Sequence, residues 1–327
     1  MMIEFDQDWT GAVELIEQAQ SVLLIAHVCP DPDALGSALA IGLALESLNK
    51  KVQVSVGEPG FAVPESLQVL PGKHLVVAPE NLEPADLVIS CDTSSHERLG
   101  VLEETLACAE NSIAIDHHPS FTGFGKLHLV DPDAAATAEL ALELIDLLKV
   151  ELNADIASAI YAGLATDTGS FRYNSTTAYT MQIAARLFAT GIDHAKLAIE
   201  LFDNESFEAI QMLADALKRA QLLPDAANGR GLVYTSISVN ERRGLPELAM
   251  ERVIDTLRRT SEAEVSAIFK QGDDGLWKGS LRSKTTVDVG AVGTALGGGG
   301  HSYAAGYTGS DNLEQMILDL KEALAKV

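Results

Sequence analysis

Short apolar runs alternate with longer segments of helical period through the first half of the chain. The runs VLLIAHV, KVQVSV, DLVISCD and NSIAID are almost continuously apolar, as is typical of parallel strands buried on both faces. Apolar residues recur at helical spacing in DALGSALAIGLALESL, ERLGVLEETLACA, TAELALELIDLLKV, ADIASAIYAGLA and TAYTMQIAARLFATG. This alternation predicts an α/β fold with a doubly wound, mainly parallel sheet and helices on both faces.

The pattern changes after the polar, turn-rich segment LPDAANGRG. Strands are predicted at GLVYTSISV, AEVSAIFKQ and LWKGSLRSK, and helices at LPELAMERVIDTLRRT, VDVGAVGTALG and LEQMILDLKEALAKV. The helical segment SFEAIQMLADALKRAQLL precedes this boundary. We therefore predict a first domain over residues 1–190, a helical linker over 191–227, and a smaller α/β domain over 228–327 that lies across a cleft from the first.

The formal net charge of −24 argues against a protein that binds long nucleic acids. Proteins that coat long nucleic acids need a broad cationic surface, so any nucleic-acid substrate should be short. The N-terminal sequence MMIEFDQDW is acidic and lacks the apolar stretch of a signal peptide, and the apolar runs elsewhere are too short to cross a bilayer. We expect a cytoplasmic protein with no membrane partner. Three cysteines without CxxC spacing indicate neither a disulfide framework nor a zinc site.

Residue types that ligate metals cluster where the predicted elements end. The clusters are His27, Asp31 and Asp33 in HVCPDPDALGSA, Asp92 in LVISCDTSS, Asp116, His117 and His118 in IAIDHHPS, Asp167 in GLATDTGSF, and His301 in GGGGHSYAAG. In a doubly wound sheet, ligands bind beyond the carboxyl ends of the strands. A mixture of imidazole and carboxylate suits a divalent ion such as Mn²⁺ better than a metal that prefers thiolates.

Each cluster, taken alone, also has a structural interpretation. Asp31 and Asp33 suit helix caps, and Asp92 suits the cap of the next helix. Asp116 to His118 suit a solvated turn before Pro119, and Asp167 suits a turn. The glycine run suits a flexible hinge. The order of all five clusters along one chain is what favours a metal site.

The motifs HVCPDPDALGSA, CDT, DHHP and TDTGSF, in that order, resemble those of the DHH phosphoesterases, and SLRSK followed by GGGGHSYAAG is similar to the DHH-associated domain. The resemblance covers nearly the whole chain. In length and domain pairing it is greatest to the branch of oligoribonucleases, called nanoRNases, that also act as pAp phosphatases. The first predicted domain would then be the catalytic, metal-binding domain, and the third the substrate-binding domain.

The resemblance implies two divalent cations, expected to be Mn²⁺, and a ligand for each position. One ion would be held by His27 and Asp31, the other by Asp33, His117 and Asp167, and Asp92 would bridge them. His118 would face the substrate phosphate and Asp116 would support it, so that the expected catalytic residues are His118, Asp116 and Asp92. Two cations about 3.5–4 Å apart can activate a hydroxide nucleophile and neutralise charge on a phosphate during in-line attack.

The resemblance also implies that the glycine-rich loop grips the nucleotide part of the substrate. Glycines allow backbone N–H groups to approach a phosphate or a base, and Arg282 and Lys284, two apart on a predicted strand, would share one face. Arg98 is a further candidate near the metals. The expected substrate-binding residues are Arg282, Ser283, Gly298, Gly299, Gly300, His301 and Arg98.

These inferences predict a hydrolase that removes mononucleotides from very short oligoribonucleotides and also dephosphorylates 3′,5′-bisphosphorylated adenosine (pAp). A phosphodiesterase of cyclic di-AMP or of its linear dinucleotide product is an alternative, and a nucleotide-binding module with an inactive site is a non-enzymatic one. A long single-strand exonuclease would need additional binding modules, and a pyrophosphatase would have a different basic signature in place of GGGGH. Cleavage polarity, the physiological metal and a homodimeric state stay open.

Overall fold

The computed structural model describes residues 7–245 and 247–327, so Met1 to Asp6 and Pro246 lie outside the described residues. The interpretation of MMIEFDQDW, the start of the predicted first domain and one position of the helix predicted at LPELAM fall on them. The chain forms two compact units, the first ending at Asn204 and the second beginning at Glu205. The domain boundaries expected at residues 190 and 228 stay predictions. No described helix combines the length and the apolar character that spanning a membrane requires.

The first unit alternates helices and strands as the sequence pattern predicts. Its elements are α1 (Trp9–Gln18), β1 (Ser21–Ala26), α2 (Pro32–Ser47), β2 (Lys51–Val56), β3 (Leu87–Cys91), α3 (Glu103–Ala107), β4 (Ser112–Asp116), β5 (Leu127–Val130), α4 (Thr137–Leu147), α5 (Ala154–Asp167), α6 (Ala178–Ala189) and α7 (His194–Phe202). Short 3₁₀ helices cover Glu65–Leu67, Lys73–Leu75, Pro79–Asn81 and His96–Leu102.

Strands β1 to β5 form a parallel sheet in the order β2-β1-β3-β4-β5. Burial of β3 and β4 along their whole length accounts for their continuous apolar runs. One face of the sheet packs against α2 and α4, and α5 packs in turn against these two helices. The other face is covered by the segment that contains Leu99, Leu102 and Leu106. Together with the second unit described below, this confirms the predicted fold class. Strand β5 and helix α1 are additions to the predicted elements, and α7 lies within the segment predicted to be a helical linker.

The helix predicted over ERLGVLEETLACA is interrupted. A 3₁₀ helix covers His96–Leu102, Gly100 inside it has a φ of +56°, and only Glu103–Ala107 is α-helical. A Cβ atom at Gly100 would lie 2.3 Å from the carbonyl oxygen of Gly57. Close approach of the segment to the loop after β2 therefore decides the local conformation, and the helical period alone does not.

The second unit is smaller and its sheet is mixed. Its elements are α8 (Phe207–Lys218), β6 (Gln221–Leu223), α9 (Ala226–Gly229), β7 (Leu232–Ile237), α10 (Glu247–Leu257), β8 (Val265–Gln271), β9 (Trp277–Ser283), α11 (Val289–Ala295), β10 (Gly299–His301), β11 (Ala304–Thr308) and α12 (Leu313–Leu324). The strand order is β10-β11-β9-β8-β7-β6, and β7 pairs with β8 in parallel while the other pairs are antiparallel. Helix α8 ends at Lys218, earlier than predicted, because Gln221–Leu223 pairs with β7.

The glycine-rich segment is largely a strand, so the prediction of a loop was wrong at Gly299–His301. These residues form β10 and pair with Ala304–Gly306 of β11. A Cβ atom at Gly298 would lie 2.0 Å from the carbonyl oxygen of Gly306, and one at Gly300 would lie 2.4 Å from that of Ala304. Both glycines are therefore needed for close approach to the chain's own neighbouring strand.

Candidate metal centre

The metal-ligating residue types of the first unit meet at the carboxyl edge of its sheet. His27 follows β1, Asp92 follows β3, and Asp116 is the last residue of β4. The first turn of α2 brings in the carboxylate of Asp33, and α5 ends at Asp167. Because parallel strands end at the same edge, groups far apart in sequence converge there.

The first three-residue group consists of His27, Asp31 and Asp92, whose potential ligand atoms all lie within 4.8 Å of one another. His27 Nε2 lies 3.6 Å from Asp31 Oδ2 and 3.7 Å from Asp92 Oδ2. Asp31 is also the N-cap of α2, since its Oδ1 accepts hydrogen bonds from the backbone N–H groups of Asp33 and Ala34. The cap and the metal-ligand interpretations of Asp31 are therefore compatible, because each uses a different carboxylate oxygen.

The second group consists of Asp33, Asp92 and His117, again within 4.8 Å of one another. His117 Nε2 lies 3.5 Å from Asp92 Oδ1, 4.0 Å from Asp33 Oδ2 and 3.1 Å from Asp167 Oδ2. His117 Nδ1 is 3.2 Å from the carbonyl oxygen of Ala134, which suits an Nδ1–H donor and turns Nε2 toward the carboxylates. Asp92 is shared by both groups, with Oδ2 toward His27 and Oδ1 toward His117.

His118 and Asp116 form a hydrogen-bonded pair beside these groups. The Nδ1 atom of His118 lies 2.7 Å from Asp116 Oδ1 and 3.6 Å from Asp92 Oδ1. Burial by itself lowers the pKa of His118, but the negative charge of Asp116, the hydrogen bond between them and the charge of Asp92 raise it above its ordinary value. The pair therefore supports a positively charged imidazole next to the carboxylates.

The buried carboxylates disfavour one another's ionised forms. Asp33 is fully buried and Asp92 is 2% exposed. Burial and the neighbouring charges of Asp92 and Asp167 raise the pKa of Asp33 well above its ordinary value. Burial and the charges of Asp31 and Asp167 likewise raise the pKa of Asp92, against the lowering effect of His118 and His117. The cost of this concentrated negative charge falls when a cation lies among the oxygens.

The pKa values of His117 and Asp31 are also shifted by the charges around them. Burial acts to lower the pKa of His117, but contact with Asp167 and the charges of Asp92 and Asp33 raise it well above its ordinary value. Burial acts to raise the pKa of Asp31, but its contact with His27 and the charge of His27 lower it on balance. The donor set of carboxylate oxygens and imidazole nitrogens therefore fits divalent cations, which would take over the positive charge that His117 otherwise carries.

Asp92 has an unusual backbone conformation for a buried, non-glycine residue. Its φ is +55°, in the left-handed region, while its N–H still donates to the carbonyl oxygen of Ile115. Such residues cluster at functional sites because the surrounding structure must hold them there. The turn after β3 thus delivers the shared carboxylate at some conformational cost.

Arg98, a predicted substrate-binding residue, lies against His27. Its Nη2 atom is 3.0 Å from His27 Nδ1, and that nitrogen is also 2.8 Å from the carbonyl oxygen of Val28. A single Nδ1 atom can accept from Arg98 or donate to Val28, depending on the tautomer, but it cannot do both. A His27 that held a cation through Nε2 would carry its proton on Nδ1 and donate to Val28, and Arg98 would then not donate to that nitrogen.

Two residues that sequence reasoning missed contact the centre. Thr137, the first residue of α4, donates a hydrogen bond from Oγ1 to Asp92 Oδ1 over 2.8 Å. Gly163 on α5 packs against α2 so closely that a Cβ atom there would lie 2.4 Å from Asp33 Oδ1. The sequence carries little signal for either, because threonine and glycine inside helical segments have many ordinary uses. Only the packing of α4 and α5 against α2 reveals these contacts.

Two of the predicted substrate-binding residues of the second unit, Arg282 and Ser283, lie on β9. Arg282 Nη2 donates to Glu251 Oε2 over 3.0 Å, and Lys270 Nζ donates to Glu251 Oε1 over 2.6 Å. Ser283 is fully buried and donates to Glu264 over 3.1 Å, on the opposite face of β9 from Arg282. The prediction that Lys284 shares the strand face of Arg282 was wrong, because β9 ends at Ser283 and Lys284 Nζ bonds to the carbonyl oxygen of Thr260.

The remaining predicted residues of this unit belong to the glycine-rich segment, and β11 lies between that segment and β9. Ala304 of β11 is paired with Arg282 on one side and with His301 on the other, so Arg282 and His301 flank β11. On the same face, β11 contributes only the small residues Ala304 and Gly306 and then Thr308. The second unit therefore contains a shallow sheet surface edged by an arginine and a histidine.

Comparisons with known proteins agree with this arrangement. Residues 21–164 match the DHH family, N-terminal domain, and residues 230–326 match the DHHA1 domain. The bifunctional oligoribonuclease and PAP phosphatase NrnA of Thermus thermophilus is 33% identical over 299 residues, which are 90% of this chain and 86% of that protein. The cyclic-di-AMP phosphodiesterase GdpP of Geobacillus thermodenitrificans is 29% identical over 95% of this chain but over only 48% of that protein.

The fold has a solved counterpart. The crystal structure of an exopolyphosphatase-related protein from Bacteroides fragilis is similar with a TM-score of 0.86 and 24% identity, covering 97% of this chain and 95% of that one. This likeness shows the fold alone. The two domain matches and the relative at 33% identity show more: this chain belongs to the DHH phosphoesterase family, with an N-terminal DHH domain and a C-terminal DHHA1 domain.

Proposed function

We propose that this protein is a two-metal phosphodiesterase that removes mononucleotides from very short oligoribonucleotides and dephosphorylates pAp. The observation that carries the proposal is the position of Asp92, which belongs to both three-residue groups and directs one oxygen toward His27 and the other toward His117. A carboxylate placed in this way suits a bridge between two cations. The relative described as an oligoribonuclease and PAP phosphatase supports the substrate class.

The ligands in this proposal are His27 and Asp31 for one ion, Asp33, His117 and Asp167 for the other, and Asp92 for both. Bound divalent ions supply Lewis acidity and lower the pKa of a coordinated water. His118, oriented by Asp116, donates a hydrogen bond to a phosphate oxygen and stabilises the charge that develops there. Asp116 keeps the imidazole protonated at Nδ1, so the donor to substrate is Nε2.

The second unit holds the nucleotide part of the substrate in this proposal. Arg282 pairs with a phosphate or a carbonyl edge of a base, and His301 contributes a second donor from β10, on the other side of β11. The small side chains of β11 between them leave room for a flat base. Such recognition of one or two nucleotides suits a protein whose net charge of −24 disfavours long polyanions.

One assay panel tests the proposal. Purified protein with Mn²⁺ is given labelled RNAs of two to twenty residues, pAp, linear and cyclic di-AMP, and pyrophosphate, and kcat/KM is measured for each. We expect the highest values for the shortest RNAs, with measurable release of phosphate from pAp. A preference for long RNA or for pyrophosphate contradicts the proposal, and a preference for cyclic di-AMP favours the alternative function.

Variants connect the activity to the residues. Asp33→Ala and Asp167→Ala should abolish turnover, because each removes a ligand of one ion. Arg282→Ala should mainly raise KM, by roughly 10–100-fold, which corresponds to the loss of one charge-assisted hydrogen bond. Arg242→Ala is the matched control, since it removes a cation of the same unit that is bound to Asp273. Full activity of either aspartate variant would show that the ligands are wrongly assigned.

The identity of the ion needs its own measurement. Protein stripped with a chelator is titrated with Mn²⁺, Mg²⁺, Co²⁺ and Zn²⁺, and stoichiometry is followed by calorimetry with activity as a second readout. We expect two ions per chain and the highest activity with Mn²⁺, because imidazole and carboxylate ligands are mixed at both positions. A single ion per chain at saturation contradicts the two-metal assignment.

A further inference from the structure

Thr137 contacts both buried carboxylates of the candidate centre. Its hydroxyl donates to Asp92 Oδ1 over 2.8 Å, and its backbone N–H donates to Asp33 Oδ2 over 2.7 Å. The next backbone N–H, that of Ala138, donates to Asp33 Oδ1 over 3.0 Å. The residues that supply the three donors and the three acceptor oxygens are all buried, and Thr137 and Asp33 are fully inaccessible. One residue therefore links the carboxylate that is shared by the two groups to a carboxylate of the second group.

The start of α4 explains why Asp33 binds there. The N-cap residue is Ala136, whose side chain cannot accept a hydrogen bond from the first turn. The first N–H groups of α4 therefore need an acceptor from elsewhere in the fold, and Asp33 supplies it across 104 and 105 positions of sequence. The positive end of the helix dipole also favours the ionised form of Asp33, which burial disfavours.

The hydroxyl of Thr137 has a separate effect on Asp92. A carboxylate that serves two ligand groups must keep the plane of its two oxygens in one orientation. Thr137 Oγ1 bonds Oδ1, and Oδ2 is thereby directed toward His27 Nε2, 3.7 Å away. Without the hydroxyl, the Asp92 carboxylate keeps its contacts with the imidazoles of His27, His117 and His118 but loses a hydrogen bond that opposes its rotation. A methyl group in place of Oγ1 would also leave Oδ1 buried beside an apolar neighbour.

We propose that Thr137 is a positioning residue for metal binding, which orients Asp92 through its hydroxyl and Asp33 through its backbone N–H. The inference rests on the proposed function in that Asp92 and Asp33 are taken as ligands. The hydroxyl and the backbone N–H of Thr137 are both bonded to carboxylates, so in this proposal Thr137 is not itself a ligand. Its action passes through two carboxylates, as is known for groups that hydrogen-bond metal ligands in other proteins.

The test compares Thr137→Val, which replaces the hydroxyl by a methyl group at nearly constant shape, with Thr137→Ser, which keeps the hydroxyl. Mn²⁺ affinity and stoichiometry are measured by calorimetry on chelator-stripped protein, and Tm is measured on the same metal-free samples. We expect Thr137→Val to bind Mn²⁺ about 10–100-fold more weakly than wild type and Thr137→Ser to stay within about threefold of it. The value of kcat should fall with affinity while KM for a dinucleotide changes little.

Thr235→Val is the matched control. Thr235 is 2% exposed, and its hydroxyl donates to the carbonyl oxygen of Ala216 over 2.7 Å in the second unit. This variant should lower Tm without altering Mn²⁺ affinity. If Thr137→Val does not fold, Thr137→Ala removes the same hydroxyl with a smaller side chain and replaces it in the comparison.

Two outcomes would overturn the inference. In the first, the Thr137→Val protein binds Mn²⁺ with wild-type affinity and stoichiometry. In the second, Thr137→Ser loses as much affinity as Thr137→Val, which would assign the effect to packing of the methyl group. A wild-type protein that binds no Mn²⁺ is a different result, since it removes the proposed function itself.

Discussion

The Nδ1 atom of His118 donates a hydrogen bond to Asp116 Oδ1 over 2.7 Å, and Asp116 is fully buried at the end of β4. The side chains belong to residues two apart, so the bend after the strand brings them together. This bond fixes the ring orientation of His118 and places the proton on Nδ1. A neutral partner at position 116 would accept a weaker bond and would no longer favour the imidazolium.

The first prediction concerns this pair. Asp116→Asn should lower kcat by about 10–100-fold with a smaller change in KM, because the orientation and charge of His118 matter most when charge develops on the phosphate. Steady-state kinetics on a dinucleotide checks it. Asp131→Asn, a nearby change of the same type at a partly exposed aspartate that follows β5, is the control and should leave kcat within about twofold. Wild-type kcat in Asp116→Asn would contradict the role given to His118.

The second prediction is that Asp92 lowers the stability of the metal-free protein and is needed for the stability that a bound metal adds. A buried carboxylate whose pKa is raised in the folded state costs stability once the pH exceeds its ordinary pKa, because the folded state then disfavours ionisation. Asp92→Asn removes that charge and keeps an oxygen that accepts from Thr137. A pH of 7.5 is roughly 3–4 units above the ordinary pKa of an aspartate. At that pH the metal-free variant should therefore have a higher Tm than metal-free wild type.

Added Mn²⁺ should reverse this order. At a hundred times its Kd, a ligand adds about 2.7 kcal/mol to the free energy of unfolding, which raises the Tm of a unit of this size by roughly 5–10 °C. Wild type should gain this increment, and Asp92→Asn should gain little. Differential scanning calorimetry with and without chelator checks both arms, with the exposed Asp203→Asn as control. A metal-free Asp92→Asn protein less stable than wild type would contradict the repulsion described here.

The third prediction concerns the close packing of α5 against Asp33. A Cβ atom at Gly163 would lie 2.4 Å from Asp33 Oδ1 and 2.9 Å from its Cα, so Gly163→Ala must displace the ligand or the helix. We expect a loss of about 1–3 kcal/mol in the free energy of unfolding, together with a large loss of Mn²⁺ affinity.

Gly42→Ala on α2 is the matched control for Gly163→Ala. The added Cβ would be 3.0 Å from Leu75 Cδ1 and 3.3 Å from Val54 Cγ2, which are apolar side-chain atoms away from the carboxylates. This variant should change stability alone. Equal Mn²⁺ affinities for Gly163→Ala and Gly42→Ala would mean that the Gly163 contact does not determine where Asp33 lies.

The fourth prediction is a pH dependence in the second unit. Burial acts to raise the pKa of Glu251, but the positive charges of Lys270 and Arg282 and hydrogen bonds from Lys270 and Ser280 lower it below its ordinary value of 4.5. A lowered pKa means that the carboxylate stabilises the folded state above pH 4.5, and that this contribution is lost as the pH falls through the folded-state pKa. Glu251→Gln should therefore cost about 2 kcal/mol at pH 7.

Denaturant unfolding of metal-free protein at several pH values checks this. The difference between wild type and Glu251→Gln should be constant from pH 7 to about pH 5.5 and should shrink below pH 4.5. Glu322→Gln, at an exposed position of α12, should stay within about 0.5 kcal/mol of wild type throughout. A difference that grows on acidification would contradict the charge pairing with Lys270 and Arg282.

Hydrophobic periodicity was sufficient for the elements whose burial is uniform. Strands β1, β3 and β4 agree with their predicted bounds within a residue or two, because strands buried on both faces are largely apolar. Strand β2 has the predicted bounds although Lys51 at its start is exposed. The periodicity failed where composition and structure diverge. Strand β5 has only two buried residues of four, β10 has two glycines among its three residues, and β11 begins with two alanines and a glycine. None of these three strands therefore carries a clear strand pattern.

The sequence by itself determined the order of the elements, the family motifs and the strand ends at which His27, Asp92 and Asp116 would lie, since these follow from local apolar patterns and from residue types. Tertiary structure alone decided that Asp92 directs its two oxygens to different imidazoles, that the start of α4 binds Asp33, and that Gly163 must lack a side chain. The Thr137 contacts with Asp92 and Asp33 span 45 and 104 positions. Such contacts are set by how helices pack on the sheet, and no local pattern of residues encodes that packing.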